Sequence, residues 1–193
     1  MSERIPAKAA PLALAVLLAW ITAEGFSSSP IIPVRGDVPT IGHGATHYED
    51  GTRVTMSDPP ITRARARELA VNLLDQQYAQ CVRDSLGDTL VHPEGEFATA
   101  VDFAGQYGCG AWRASSIRRD LVAGDYARAC RGFLAYKFMT SPKPLQGFAP
   151  YQWGRDGRPT RWRFDCSTPG NRVCLGVWTR QLARHADCMA VQA

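Results

Sequence analysis

A run of fifteen residues without charge, from Ala9 to Ala23, constrains the folding of this chain more than any other feature. Arg4 and Lys8 precede the run, and the carboxylate of Glu24 follows it directly. A stable membrane-spanning helix needs about 20 apolar residues, so the run is short for a permanent anchor. It is also rich in alanine, which gains less from burial in lipid than leucine does.

This apolar run has four interpretations. It is a cleaved secretion signal, although it lacks a clean A-x-A cleavage site, or it is a permanent anchor. Alternatively it is a marginal segment that enters the membrane and later leaves it, or an amphipathic core helix of a soluble domain. The last two are compatible if the segment refolds onto the domain after leaving the lipid. The basic residues ahead of the run favour a cytoplasmic start for an inserted form.

The composition predicts one globular domain outside the cytoplasm. The net charge of +4 and the sequence pI of about 8.8 favour contact with an anionic polymer or surface, but the chain has no signature of nucleic-acid binding. Six cysteines and an export-like start suggest disulfides, and Cys166 and Cys174 can pair across a short loop, with buried free thiols as the alternative. No CxxC pair is present and the histidines have no ligand spacing, so neither a metal nor a cofactor is expected.

The pattern of residues predicts an α+β domain with a small antiparallel sheet and a dominant helical lobe. Residues 25–56 alternate β-branched residues with Gly, Pro and Asp, and the Asp50–Gly51 pair suits a tight hairpin turn. Apolar residues at helical spacing predict a helix from Thr62 to about Leu86, with Thr62 as its cap. Further helices are predicted from the stretches EGEFATAVDFAGQYG, broken by Gly108 and Gly110, and then SSIRRDLVAG, DYARACRGFLAYKF and GVWTRQLARHADCM.

Residues 140–165 have no clear period and are rich in Pro, Gly, aromatic residues and Arg. The stretch is too long for an ordinary loop, so it is predicted to be functional or partly a hairpin, with GRDG as a turn. Trp153, Arg161 and Trp162 either stack on sugars or pack beneath this stretch.

Three polar residues after the apolar run carry the predicted chemistry. Glu24 follows Trp20 and Ile21, and burial beside apolar groups raises the pKa of a carboxyl because it disfavours the anion. A carboxylic acid that keeps its proton at neutral pH is what glycosidic cleavage requires. Asp37, in a glycine-flanked loop, is expected to stay ionised and to stabilise a cationic sugar or orient a water, which Thr40 would hydrogen-bond. Spacing alone does not distinguish these acids from a helix-end charge and a turn residue.

Three stretches together form a more specific pattern, which runs from about residue 17 to the end of the chain. They are EGF…GDVPTIGHGAT, AVDFAGQYGCGAWRASSIRRDLVAGDYARAC and NRVCLGVWTRQLARHADC. This pattern resembles the phage-type lysozymes, the endolysin muramidases of glycoside hydrolase family 24. The weak apolar start just before the glutamate resembles the signal-arrest-release endolysins, which are exported tethered to the inner membrane and then freed.

The resemblance implies a lysozyme-like fold and a muramidase that cleaves the β-1,4 bond between N-acetylmuramic acid and N-acetylglucosamine. Glu24 would be the acid, Asp37 would stabilise the oxocarbenium ion or position water, and Thr40 would orient the nucleophile. Asp37 is displaced from the family spacing, and Val34 falls at the family's Asp position if Thr40 keeps its register. The expected substrate-binding residues are His43, Gln106 and Tyr107.

The resemblance also implies a division of the chain and a location. Residues 1–23 would be the apolar segment and first helix, and residues 24–193 the catalytic domain. The protein is expected to be a monomer that acts on peptidoglycan, associates transiently with the inner membrane through residues 9–23, and is released to the periplasm without binding nucleic acid. Two alternatives remain, namely a lytic transglycosylase on the same fold and a non-catalytic, membrane-anchored cell-wall-binding protein.

Overall fold

The computed structural model describes residues 3–12, 14–33 and 38–192. The chain divides into two compact units, Met1–Gly124 and Asp125–Ala193. Among the described residues, no helix is both long enough and apolar enough to cross a membrane.

The first unit begins with a short strand that pairs with another strand about 85 positions later in the chain. Strand β1 (Ile5–Pro6) pairs antiparallel with β4 (Leu90–Val91), and a 3-10 turn follows at Ala7–Ala9. The apolar run then forms helix α1 (Leu14–Glu24). Gly25 follows the end of the helix, and its φ of +70° is a conformation that glycine adopts without a steric penalty.

A small antiparallel sheet follows α1, as predicted. Strand β2 (Ser27–Ile31) pairs with β3 (Thr40–Gly42), and the chain continues into a hairpin bridged between His47 and Arg53. The sheet packs on helix α2 (Arg63–Asn72) through a core made of Ile41, Ala45, Val54 and Leu69.

The helix predicted from Thr62 to Leu86 is confirmed, with a widened middle. Helix α2 passes into a π-helical turn (Leu73–Ala79) and then into α3 (Gln80–Leu86). The Thr62 side chain caps the start by accepting a hydrogen bond from the Arg65 amide at 3.1 Å.

Two more helices complete the first unit. A π-helical turn (Pro93–Phe97) leads into α4 (Ala98–Ala114), and the capping side chain of Ser115 starts α5 (Ser116–Val122). Gly108 breaks α4 with φ 84° and ψ 157°, as predicted. The prediction that Gly110 also breaks it was wrong, because helical geometry resumes through Gly110 to Ala114.

The second unit combines helices with a three-stranded sheet. It contains α6 (Tyr126–Gly132), a 3-10 turn (Phe133–Ala135), β5 (Phe138–Ser141), β6 (Ala149–Trp153), β7 (Pro159–Asp165) and α7 (Leu175–Ala190). The antiparallel strands lie in the order β5-β7-β6, and GRDG turns the chain between β6 and β7 as predicted. The α+β prediction is therefore confirmed.

The six cysteines form three disulfides. The local pair Cys166–Cys174 is confirmed, and the alternative of free thiols was wrong. Cys81–Cys109 ties α3 to α4 in the first unit, and Cys130–Cys188 ties α6 to α7 in the second.

Candidate active site

The end of α1, where Glu24 lies, is fixed against α4 by Trp20. The Trp20 side chain is buried and its ring centroid lies 5.8 Å from that of Tyr78. Its indole covers Gly105 so closely that a Cβ atom there would lie 2.1 Å from Cζ3. The Glu24 side chain lies outside the part that the structure describes. Glu24 is, however, the last residue of this anchored helix.

His43 holds the backbone that follows Glu24. The side chain is only 4% exposed, and its Nδ1 donates a hydrogen bond to the carbonyl oxygen of Gly25. Its ring lies 5.8 Å from that of Phe26, over which the Arg63 guanidinium stacks at 4.3 Å. The imidazole thus joins the small sheet to the end of α1. A role for His43 in binding substrate stays a prediction.

Thr40 lies at the start of β3 and is half-buried. Its Oγ1 donates a long hydrogen bond of 3.5 Å to the carbonyl oxygen of Ile31, across the β2–β3 pair. Two residues later, Gly42 has a φ of +67°, and a Cβ atom there would lie 3.0 Å from the Cβ of Ala66 on α2. Asp37 and Val34, the two positions considered for the second acid, lie outside the described residues.

Gln106 and Tyr107 immediately precede the break of α4 at Gly108. Both are half-buried, and the Tyr107 ring lies 4.8 Å from Phe103. They directly follow Gly105, the residue that Trp20 covers. Two of the predicted substrate-binding residues therefore lie next in sequence to the contact that positions α1, and their binding role stays a prediction.

A cavity of about 380 Å³ lies between the hairpin and the helix after it, and sequence reasoning did not identify it. Its polar lining includes His47 and Glu49 from the hairpin, with Asn72, Gln76 and Gln77 from α2 and the π-helical turn. The carbonyl oxygen of Gln77 lies 3.7 Å from the Sγ of Cys109, just past the break in α4. The lining comes from separate elements, so no local motif could have indicated it.

The carboxylate that Glu49 contributes to the cavity is already compensated. Arg65 donates two hydrogen bonds to Glu49, at 2.8 and 2.7 Å, and thereby holds the pKa of that carboxyl below its usual value. The Asn72 amide donates to the same carboxylate at 2.9 Å. The Tyr48 hydroxyl donates a hydrogen bond of 2.9 Å to the Asp58 carboxylate. The pKa of Tyr48 is raised, mainly because the hydroxyl is buried and secondly because of this hydrogen bond. What the cavity offers a ligand is mainly amide, imidazole and ring surface, which suits an uncharged polar molecule such as a sugar.

Comparisons with known proteins agree with this architecture. Residues 21–150 match the model of the family described as phage lysozyme. Among solved structures, the fold is similar to an endolysin from Escherichia coli O157:H7 phage FAHEc1, with a TM-score of 0.63 and 16% identity over 94% of each chain. No curated protein matches the chain.

Two further structures have the same fold. A mutant of P22 lysozyme gives a TM-score of 0.59 at 20% identity, with 92% of this chain and 97% of that chain covered. The muramidase domain of SpmX from Asticaccaulis excentricus gives 0.60 at 16% identity, with coverages of 93% and 98%. At these identities the likeness establishes a lysozyme-like fold.

Proposed function

Because this chain belongs to the phage lysozyme family, we propose that it lyses the host cell by cleaving the β-1,4 bond between N-acetylmuramic acid and N-acetylglucosamine in peptidoglycan. One observation supports the location of the site above all. His43, directly after β3, hydrogen-bonds Gly25, which follows α1, and Gly105 of α4 contacts Trp20, four residues before Glu24. Two separate parts of the unit therefore hold the backbone on either side of Glu24, which supports its role as the acid.

Glu24 donates a proton to the oxygen of the leaving sugar, since cleavage of a glycosidic bond needs an acid that is protonated near neutral pH. Asp37 stabilises the developing oxocarbenium ion or positions a water, and Thr40 orients that nucleophile. The hydrogen bond of Thr40 is long, which leaves its hydroxyl free to turn towards a water.

The substrate lies along Gln106, Tyr107 and His43. The cavity beside them extends this surface, because its wall at Gln77 approaches Cys109, three residues after Gln106. Amide groups that face a cavity can hydrogen-bond the hydroxyl and acetamido groups of a sugar without a charge to neutralise.

The apolar segment gives a means of control. Residues 9–23 enter the inner membrane transiently with Glu24 at its surface, and on release they become the first helix of the 24–193 catalytic domain, in the periplasm. In support of this, the residues before α1 dock closely on the folded unit: Arg4 donates to Glu96 at 2.7 Å, and the Ala7 amide donates to Thr89 at 2.9 Å. Mass spectrometry of the mature N-terminus tests the proposal, because cleavage after residue 23 would remove the helix that carries the acid.

Digestion of purified peptidoglycan sacculi by the wild-type protein, which we expect to be a monomer, tests the reaction. A muramidase adds water and releases reducing N-acetylmuramic acid ends, which mass spectrometry identifies. The displacement of Asp37 makes a lytic transglycosylase the rival, and that enzyme would give anhydro products of lower mass. Binding to sacculi without any new ends would instead indicate a non-catalytic wall-binding protein and overturn the proposal.

A further inference from the structure

The three-stranded sheet of the second unit has one covered and one open face. On the covered face, the Phe164 ring lies 5.7 Å from Phe148, which belongs to the sheet's own β5–β6 connection. The open face is set by β7, where Arg161 and Arg163 alternate with Trp162 and Phe164 and so project from the opposite side. Both arginines are exposed.

Aromatic rings on the neighbouring strands contact an arginine of the open face. The Arg163 guanidinium lies 4.2 Å from the ring centroid of Phe138 on β5 and 5.5 Å from that of Tyr151 on β6. Trp153 ends β6 and pairs with Pro159, next to the pairing of Gln152 with Arg161, and the register shifts between these two pairs. The Trp153 side chain is 56% exposed, which is unusual for so large an aromatic group. The sheet therefore presents exposed arginines on its open face and an exposed tryptophan at the end of β6, close in register to Arg161.

The charge of the protein is concentrated in this sheet. Residues 137–165 contain six basic and two acidic side chains, a net charge of +4 that equals the net charge of the whole chain. Both acids have a basic partner within the segment: Asp165 lies 2.8 Å from Lys137, and Asp156 lies 3.9 Å from Arg158. The segment holds no further carboxylate for its other four cations.

We propose that the open face of the β5–β7–β6 sheet binds the glycan strands of peptidoglycan, a proposal that rests on the proposed function. Arginine guanidinium groups bind the carboxylates of the peptide stems, and the Trp153 ring packs on the apolar face of a sugar. A lipid surface fits less well, because the turn between β6 and β7 reads Gly-Arg-Asp-Gly-Arg and carries no aliphatic side chain that could enter a bilayer.

The test is co-sedimentation with purified sacculi on ice, in the Glu24→Gln background so that the sacculi stay intact. The variant carries Trp153→Ala and Arg161→Ala, and the control carries Arg67→Ala and Arg113→Ala, two exposed arginines of the first unit. The control removes more positive charge than the variant. A purely electrostatic attraction would therefore weaken more in the control.

We expect the variant to bind sacculi about tenfold more weakly, because loss of an aromatic stacking contact alone has an effect of that order. The control should remain within about twofold of the parent, since isolated surface charges contribute little. Sacculi whose carboxylates have been amidated should also bind the parent more weakly. The single variant Arg161→Ala, at an exposed position, should show part of the loss of binding to sacculi. It replaces the double variant in the test if the double variant folds poorly.

Two outcomes would overturn the proposal: equal affinity of variant and parent, or equal weakening in the control. If the variant lost the parent's binding to vesicles of phosphatidylcholine and phosphatidylglycerol but bound sacculi as well as the parent, the face would be assigned to a membrane instead. The proposed function is judged separately. Sedimentation in the Glu24→Gln background reports binding whether or not the wild-type chain cleaves a bond, so the failure of one proposal does not imply the failure of the other.

Discussion

Substitution of Gly105 by alanine should displace the helix that carries Glu24. The new Cβ atom would lie 2.1 Å from Cζ3 and 2.7 Å from Cη2 of Trp20, whereas carbon atoms in contact are about 3.5–4.0 Å apart. The indole must therefore retreat by roughly 1.5 Å. Overpacking of this kind costs about 1–3 kcal/mol, partly offset by the better helix propensity of alanine, worth up to about 1 kcal/mol.

The free energy of unfolding should therefore fall by about 1–2 kcal/mol, which lowers the melting temperature by roughly 3–6 °C in a protein of this size. Circular dichroism measures the melting temperature, and release of reducing ends from sacculi measures activity. Activity should fall further than stability, because a shift of about 1 Å at a catalytic group can cost about 100-fold in rate.

Gly110→Ala is the matched control, since it lies in the same helix and its added Cβ would meet no other side chain or segment within 4 Å. It should leave activity unchanged and stability equal or slightly higher. A smaller ring at the contact, Trp20→Phe, should relieve part of the cost of Gly105→Ala, which a double-mutant cycle detects as coupling. If Gly105→Ala behaved like Gly110→Ala, Trp20 would not be what positions α1.

Three further changes follow from the structure. Arg4→Ala should destabilise the fold by about 2 kcal/mol in urea unfolding, because it removes the guanidinium that neutralises the buried Glu96 carboxylate, and adding Glu96→Gln should restore part of the loss. Hydrogen bonds from Lys137 and then from Ser167 lower the pKa of Asp165 to about 2. The thermal stability that wild type gains over Asp165→Asn should therefore be full above pH 4 and disappear as the pH falls towards 2; a constant difference would contradict this. Gly42→Ala should lower the melting temperature, because its φ of +67° is strained for alanine; an unchanged value would refute this.

Local signals in the sequence predicted the helices and some of the turns. Thr62 was predicted as a cap because its side chain can satisfy a free amide of the first helical turn, and it does so in the structure. The Asp125 side chain caps α6 in the same way. The alternation of Arg161, Trp162, Arg163 and Phe164 is a strand signal, but the surrounding prolines and glycines obscured it.

What could not be predicted depends on residues that are distant in the chain. Arg4 and Glu96 are 92 positions apart, and nothing in either neighbourhood indicates the other. The pocket lined by His47 and Gln77 likewise exists only because the hairpin folds over the π-helical turn. The candidate acids were identified by residue type and by resemblance, and their roles remain predictions.

The central claim is that α1 presents the carboxylic acid of Glu24 to a glycan. The rate at which purified sacculi gain reducing ends, compared between wild type and Glu24→Gln, tests it most directly, with Glu94→Gln at an exposed position as the control. We expect the Glu24→Gln rate to fall by about 10² to 10⁴-fold, the usual contribution of a general acid, with an unchanged melting curve, while the control keeps the wild-type rate. A folded Glu24→Gln protein that releases ends as fast as wild type would contradict the account.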